Sequence, residues 1–187
     1  NSMNLSLFIV VLGGRSLKSN IEIHDVRWVL GKSLEDTFPE LRKQWIGKRN
    51  GLHIDSYKRI EYVDGYKIAI SKSNRKNLIN QEKEDKYLWF INLGGYNPKK
   101  MYEEHEFTLV VAKKAIDAKK KARKNWISNL KNKHNDDLSS IKDFEQVDDI
   151  HSIRKIKSWE IKLIHDPEER AEKLIPDWYG YMRIDKY

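Results

Sequence analysis

Apolar residues occur in short runs separated by polar, glycine-containing segments, a pattern typical of strands joined by turns. Residues 5–12 are apolar apart from Ser6 and lead into Gly13 and Gly14. Residues 24–30 predict a second strand, and residues 57–62 and 66–70 predict a third and a fourth. The chain therefore begins with a unit built mainly of strands.

A helix is predicted between the second and third of these strands. Ser33 and Asp36 have the spacing of a capping box, in which each side chain accepts a hydrogen bond from the backbone near the helix start. Pro39 falls early in the segment and predicts a kink or a shortened first turn. The apolar positions recur at spacings of four, three and four, which defines one helical face: Leu34, Phe38, Leu41 and Trp45.

The same pattern returns later in the chain. Residues 7–57 placed over residues 88–138 without a gap give 16 identities in 51 positions, at an offset of 81. This alignment pairs His24 with His105 and Trp45 with Trp126, and we expect both tryptophans to be buried anchors of their helices. It also pairs His53 with His134 and Asp55 with Asp136, and a three-residue insertion then pairs Val63-Asp64 with Val147-Asp148.

The sequence thus predicts an α+β fold of two tandem β-β-α-β-β repeats, with helices packed on an antiparallel or mixed sheet. We place the first repeat at residues 3–71, a linker at 72–86, the second repeat at 87–153 and a C-terminal extension at 154–187, and we expect one globular unit. The extension is predicted as strand, helix and strand, because Trp159, Ile161 and Leu163 alternate, Asp166-Pro167 is typical of a helix start, and residues 178–184 read as a strand.

Several of these motifs together resemble a bacterial family known as domain of unknown function 1543. They are the strand ending in Leu-Gly-Gly, the Glu-x-His-Asp entry to the second strand, His53-x-Asp55, and Val63-Asp64-Gly65-Tyr66. The resemblance spans nearly the whole chain, including both repeats and the C-terminal segment. It implies a bacterial, cytoplasmic protein and no particular activity. The second repeat departs from the pattern, with Glu106 for Asp25 and Asp149-Ile150 for Gly65-Tyr66.

Composition excludes several classes of protein and of metal site. The chain of 187 residues has no cysteine, which excludes a disulfide framework and any metal site with cysteine ligands. No apolar run is long enough to cross a membrane, and the first strand lacks the basic flank and cleavage site of a signal peptide. Asn1 and Ser2 precede Met3 and resemble residues left by expression cloning. We expect a cytoplasmic protein without a membrane partner or cofactor; the oligomeric state stays open.

Histidine and carboxylate pairs are the first candidate chemistry. Residues two apart on a strand share a face, so His53 with Asp55 and His134 with Asp136 can point together. If the repeats pack about a twofold axis, His24 and His105 could join them in a site for zinc, manganese or iron. The alternative is that these side chains only stabilise the fold, and the spacing matches no known metal motif. Catalysis is therefore left open.

The paired glycines are a second candidate. Gly13-Gly14 and Gly94-Gly95 could let the backbone approach a phosphate. A phosphate loop normally leads from a strand directly into a helix, whereas here another strand intervenes. We therefore favour a turn that uses positive φ.

A basic helix is the third candidate. Residues 113–133 contain nine basic residues and one acid, a net charge of +8, whereas the matching residues 32–52 contain five basic and three acidic residues, a net charge of +2. The cationic face is predicted to comprise Lys119, Lys120, Arg123 and Lys124. Such a face attracts nucleic acid or another anionic partner, although it could be only a solvated helix surface. The leading hypothesis is a non-catalytic binding protein, and the alternative is a metal-dependent enzyme with His and Asp at the seam between repeats.

Overall fold

The computed structural model describes residues 4–72, 86–129 and 147–186 except 154 and 157, with the backbone alone at residues 96, 126–129, 147–152 and 155. The predicted α+β class is confirmed, with strands predominating and two helices among the described residues. All strand pairs in the described part are antiparallel.

The first repeat has three strands in one sheet, a helix, and a hairpin that leaves this sheet. Strands β1 and β3 pair, as do β1 and β2. The elements are β1 (Ser6–Gly14), β2 (Ile23–Gly31), α1 (Phe38–Gln44), β3 (His53–Ile60), β4 (Tyr62–Val63) and β5 (Tyr66–Lys72). The predicted fourth strand is β5, which forms a hairpin with β4 and does not pair with β3.

The second repeat follows the same plan. Its sheet has the order β7-β6-β8. The elements are β6 (Tyr87–Tyr96), β7 (Glu103–Ala112), α2 (Ala115–Asn129), β8 (Val147–Ile153), β9 (Lys155–Ile156) and β10 (Trp159–His165). Strand β10, which the sequence placed in the C-terminal extension, is thus the counterpart of β5 in the second repeat.

Strand register corrects the alignment of the repeats after their helices. Leu12 pairs with Ile54 and Leu93 pairs with Val147, each next to a bulge. Ile54 and Val147 are therefore equivalent and lie 93 positions apart, so Trp126 and Val147 are 12 residues further apart along the chain than Trp45 and Ile54. The predicted equivalences of His53 with His134, Asp55 with Asp136 and Val63-Asp64 with Val147-Asp148 are wrong. Asp148 occupies the strand position of Asp55, and the matching His-x-Asp spacing at offset 81 falls within the longer connection.

The hairpins of the two repeats form a sheet of their own with the order β4-β5-β10-β9. Ala69 pairs directly with Lys162, and these two residues are themselves equivalent at the offset of 93. A local pseudo-twofold axis therefore passes between them. The two repeats are joined by continuous backbone hydrogen bonding across this axis.

Three apolar clusters fill the molecule. One packs the inner faces of β1 and β6 against the shared sheet, with Leu7 and Ile9 facing Leu88 and Phe90. A second lies between the first sheet and α1, and a third lies between the second sheet and α2. Apolar residues point to both faces of β1 and β6, because each of these strands is buried on two sides.

The predicted capping box is confirmed at the start of the first helical segment. Asp36 Oδ2 accepts hydrogen bonds from the amides of Lys32 and Ser33, and Ser33 Oγ accepts one from the Asp36 amide. A 3-10 turn, Glu35–Thr37, precedes α1. Pro39 lies at the first turn of α1, where its missing amide hydrogen is not required, so the predicted shortening is observed.

The predicted C-terminal helix is absent: residues 166–177 contain no helix. Asp166 instead caps a tight turn by accepting hydrogen bonds from the amides of Glu168 and Arg170, and Glu169 has a φ of +49° that interrupts any helix. The turn is fixed because the Asp166 amide bonds to the Gly65 carbonyl and the Gly65 amide bonds to the Arg170 carbonyl. The last strand, β11 (Trp178–Arg183), then pairs with β3 in the first sheet.

Candidate functional sites

A polar cluster lies at one end of the first sheet, where β2 and β3 flank β1. His24 from β2 and His53 and Asp55 from β3 meet there, with Asp55 between the two rings. Asp55 Oδ2 lies 2.8 Å from His24 Nδ1, and Asp55 Oδ1 lies 3.1 Å from His53 Nε2. Three of the predicted site residues are therefore in one hydrogen-bonded chain.

His53 is the buried member of this cluster, with its side chain 1% exposed. Its Nδ1 lies 2.8 Å from the Gly51 carbonyl oxygen. Its Nε2 faces Asp55 and lies 3.6 Å from Glu22 Oε2. Both ring nitrogens of His53 therefore face oxygen atoms.

His24 is the exposed member, with its side chain 55% accessible. Its Nδ1 faces the Asp55 carboxylate, so that nitrogen donates the hydrogen bond and Nε2 retains its lone pair in the neutral ring. Among the described residues, Nε2 has no hydrogen-bond partner. The geometry matches the carboxylate–imidazole pairs in which an acid orients a reactive histidine.

Neighbouring residues hold the cluster rigid. The Tyr181 ring from β11 packs on the His53 ring with centroids 4.1 Å apart. Asp185 accepts a hydrogen bond of 2.8 Å from the Gly51 amide, and Arg183 pairs with Asp185. A Cβ at Gly13 would lie 2.5 Å from His53 Nε2, so the imidazole requires glycine at this position.

The prediction that the paired glycines form turns with positive φ is wrong. Gly13 and Gly14 lie within β1, and Gly94 and Gly95 lie within β6, none with positive φ. The first pair is needed for close packing: Gly13 faces His53, and a Cβ at Gly14 would lie 2.8 Å from the Trp45 ring. Trp45 itself is buried, as predicted, and its indole N–H donates to the Lys48 carbonyl. The side chain of Trp126 lies outside the described part of the structure.

The second repeat has His105 and Asp148 at the positions of His24 and Asp55, and the side chain of Asp148 lies outside the described part of the structure. His105 Nδ1 lies 3.4 Å from the Asn92 side-chain nitrogen, and His105 Nε2 lies 3.6 Å from Glu103. Gln146 would take the position of His53, and it falls outside the described residues, as do His134 and Asp136. The histidine and aspartate of the cluster therefore belong to the first repeat and not to the seam between repeats.

A cleft of about 650 Å³ does lie where the repeats meet the C-terminal segment. His105 and Glu106 line it from the second repeat, and Asp64 lines it from the first. The Asp64 carboxylate, however, accepts a hydrogen bond of 2.7 Å from the Val111 amide. In the part of the chain that the structure describes, no three His, Asp or Glu side chains are grouped so that they could hold a metal ion.

The second candidate site is the solvent side of α2. Ala118 and Ala122 are fully buried against the second sheet and fix the orientation of the helix. Lys120 and Lys124 are exposed, and Lys119 and Arg123 are half-buried. Lys121 instead reaches back to the Val111 carbonyl and the Asp64 carboxylate. Two of the four residues predicted for the cationic face are thus exposed.

Sequence reasoning missed three contributors to the polar cluster: Glu22, Tyr181 and the Gly51 carbonyl. Tyr181 reaches His53 only because β11 pairs with β3 across more than a hundred residues of chain. No local pattern reports such a pairing. Glu22 could have been found, because it lies two residues before His24 and both belong to the repeated Glu-x-His motif.

No helix in the described part is long and apolar enough to cross a membrane. No match was found among curated proteins. The chain is similar to the crystal structure of a protein Il1583 from Idiomarina loihiensis, with 30% identity and a TM-score of 0.71 over 97% of this chain and 99% of that one. The model of the Domain of Unknown Function (DUF1543) family matches residues 19–70 and 100–150, more than half of the chain. This protein therefore belongs to the DUF1543 family.

Proposed function

We propose that this protein binds a nucleic acid or a similar polyanion through the exposed cationic face of α2. The observation that carries the proposal is the orientation of this helix. Its alanine stripe is packed against the second sheet, and Lys120 and Lys124 on the opposite side are exposed. Asp117 is the one acidic residue of α2.

Comparison with α1 supports a role for these charges beyond solubility. Lys119, Lys120 and Lys121 of α2 stand at the positions of Phe38, Pro39 and Glu40. Arg123 and Lys124, in contrast, have basic counterparts in the first repeat. The excess charge of α2 is thus an addition to the shared framework. Like charges three or four residues apart on a helix cost a few tenths of a kcal/mol per pair, which a bound polyanion would relieve.

The expected binding is weak, tolerant of sequence and sensitive to salt. Each phosphate neutralised releases counterions, so the slope of log K against log salt is about −0.7 per contact on a single strand and about −0.9 on a duplex. No base-reading element is needed for this mode of binding.

The test is a fluorescence-anisotropy titration with single-stranded and duplex oligonucleotides at low and moderate salt. Charge reversal at Lys120 and Lys124 should abolish binding at low salt and leave the melting temperature nearly unchanged, because both side chains are exposed. The matched control is Lys43→Glu in α1, an exposed lysine at the position equivalent to Lys124. Wild-type protein that fails to bind at low salt, or a control as defective as the double variant, would refute the proposal.

A further inference from the structure

We propose that His24 is the proton-accepting group of a small-molecule site in the first repeat, oriented by Asp55. The ligand is a neutral or cationic compound that presents an N–H or O–H hydrogen to His24 Nε2. This site is separate from the cationic face of α2 and does not depend on it.

The orientation of His24 is the first argument. A neutral imidazole has two tautomers, and a carboxylate 2.8 Å from Nδ1 selects the one with hydrogen on that atom. The lone pair then lies on Nε2, in a side chain that is more than half exposed. A histidine that served only the fold would have no need of a reactive nitrogen held open in this way.

The second argument is that Asp55 cannot turn away. Its other oxygen lies 3.1 Å from Nε2 of His53, a ring that is almost fully buried. The Gly51 carbonyl, the Tyr181 ring and the backbone of Gly13 confine that ring. His53 is therefore a positioning residue, because it acts on His24 through Asp55.

The charges of the site define the ligand. The groups that face the two rings are the carboxylates of Asp55 and Glu22, the Tyr181 ring and the Gly51 carbonyl. The charged groups among these are the two carboxylates, so the site is negative. A net negative site repels anions and favours amines or neutral hydroxyl compounds. The loop that carries Glu22 also exposes Leu17 and Ile21, which offer apolar contact beside it.

The control for the reactivity of His24 is the Asp55→Asn variant, which removes the carboxylate and keeps the exposed ring. His105 occupies the equivalent position in the second repeat and is 48% exposed, close to the 55% of His24. Its Nε2 lies 3.6 Å from Glu103, and Asp148 occupies the strand position of Asp55, so His105 serves only as a reference within each variant. A change in the rate at His24 that spares His105 therefore reports on Asp55 rather than on exposure.

Diethyl pyrocarbonate is the reactivity probe. The histidine Nε2 attacks one carbonyl carbon, the bond to the bridging oxygen breaks, and the products are an N-carbethoxy imidazole, carbon dioxide and ethanol. Mass spectrometry of the full-length protein after short exposures gives the rate at each histidine. We expect Asp55→Asn to slow the reaction at His24 about tenfold, the lower end of the effect that partner carboxylates have on histidine ligands.

His53→Gln, which copies the residue of the second repeat, should slow the reaction at His24 by a smaller factor. Nitrogen NMR of the ring should show hydrogen on Nδ1 of His24 in the wild type and a mixture in Asp55→Asn. A rate at His24 that Asp55→Asn leaves unchanged in a folded protein would overturn the assignment.

The ligand class is tested with 2-aminoethanol and acetate as probes. Titration with 2-aminoethanol should shift the His24 ring resonances in a saturable way, and Glu22→Gln should weaken this response. Acetate should shift them much less. An equal or larger response to acetate, or no saturable response to 2-aminoethanol, would refute the proposed ligand chemistry.

Discussion

The two repeats share one strand plan but differ in what surrounds it. In the first repeat, β11 covers the outer edge of β3, and α1 is a short helix of 7 residues. In the second, α2 has 15 residues, and no strand covers the outer edge of β8 among the described residues. The polar cluster belongs to the covered sheet, and the excess positive charge belongs to the longer helix.

This difference shows which parts of the unit the fold requires. The apolar positions of the central strands and the shared sheet recur in both repeats, because each repeat buries them against the other. The polar cluster needs Tyr181 and the loop held by Asp185, which only the C-terminal segment supplies. The single C-terminal segment therefore makes the two repeats unequal.

The largest expected effect concerns the anchor of the first helix. Trp45 is 9% exposed and packs in the core between α1 and the first sheet. Trp45→Ala should lower the free energy of unfolding by about 3–5 kcal/mol, measured by urea denaturation. The control is Ile46→Ala next to it, which is 65% exposed and should cost less than about 0.5 kcal/mol. Trp126→Ala should match Trp45→Ala; a cost below about 1 kcal/mol would place Trp126 on the surface and break the equivalence of the anchors.

A smaller loss is expected when the space for His53 is filled. Gly13→Ala places a methyl group against a buried ring, so it should destabilise the protein by about 1–3 kcal/mol. Combining Gly13→Ala with His53→Ala removes the clash, and the double variant should be less unstable than the sum of the single changes. Strict additivity in urea denaturation would show that the ring does not require the glycine.

The link between the repeats at Asp64 should contribute less. Asp64 has a φ of +48° in the β4–β5 turn, and its carboxylate accepts the Val111 amide hydrogen from the other repeat. Asp64→Ala removes the hydrogen-bond acceptor and places at this position a residue that adopts positive φ less readily. It should lower the free energy of unfolding by about 1–2 kcal/mol. Asp64→Asn keeps an acceptor oxygen and the tolerance, and should cost less than about 1 kcal/mol. Equal losses for both variants in thermal unfolding would exclude a role for the hydrogen bond.

The last expected effect is a loss of stability that appears only at acidic pH. The Arg170 guanidinium and two backbone amides hold the pKa of Asp166 below its usual value of 3.8, and Arg183 with the Gly51 amide does the same for the pKa of Asp185. A carboxyl with a lowered folded pKa stabilises the protein above the unfolded pKa, and this contribution is lost as the pH falls below it. Stability should therefore be flat from neutral pH to about 5 and fall below about 4.

Hydrogen exchange can locate this acid response. The Asp185 carboxyl binds the Gly51 amide of the first repeat, and the Asp166 carboxyl holds the turn whose backbone bonds Gly65. We therefore expect β11 and β3 to lose protection before β6 and β7 do. Asp166→Asn should flatten the pH dependence while lowering stability at neutral pH. Equal loss of protection in both sheets at low pH would contradict this view of the C-terminal segment.

The sequence by itself determined the repeated strand–strand–helix pattern, the burial of Trp45 and the capping box. These features are local, because the spacing of apolar side chains and a cap three residues away depend on backbone geometry alone. Sequence also brought His53 and Asp55 together, since residues two apart on a strand share a face. The ungapped alignment of the repeats is wrong after the helices, because an insertion shifts every later position and short His-x-Asp spacings recur by chance.

Only the tertiary structure decided how the two repeats join and where the polar cluster is completed. The pairing of β5 with β10 and of β11 with β3 rests on hydrogen bonds between distant backbone groups, which any extended segment can offer. Asp166 and Pro167 carry a helix-start signal, but the bonds to Gly65 hold the chain in a turn. His53 is buried beside Asp55 for the same reason: its neighbours come from β1, β3 and β11, and long-range pairing places them around one ring.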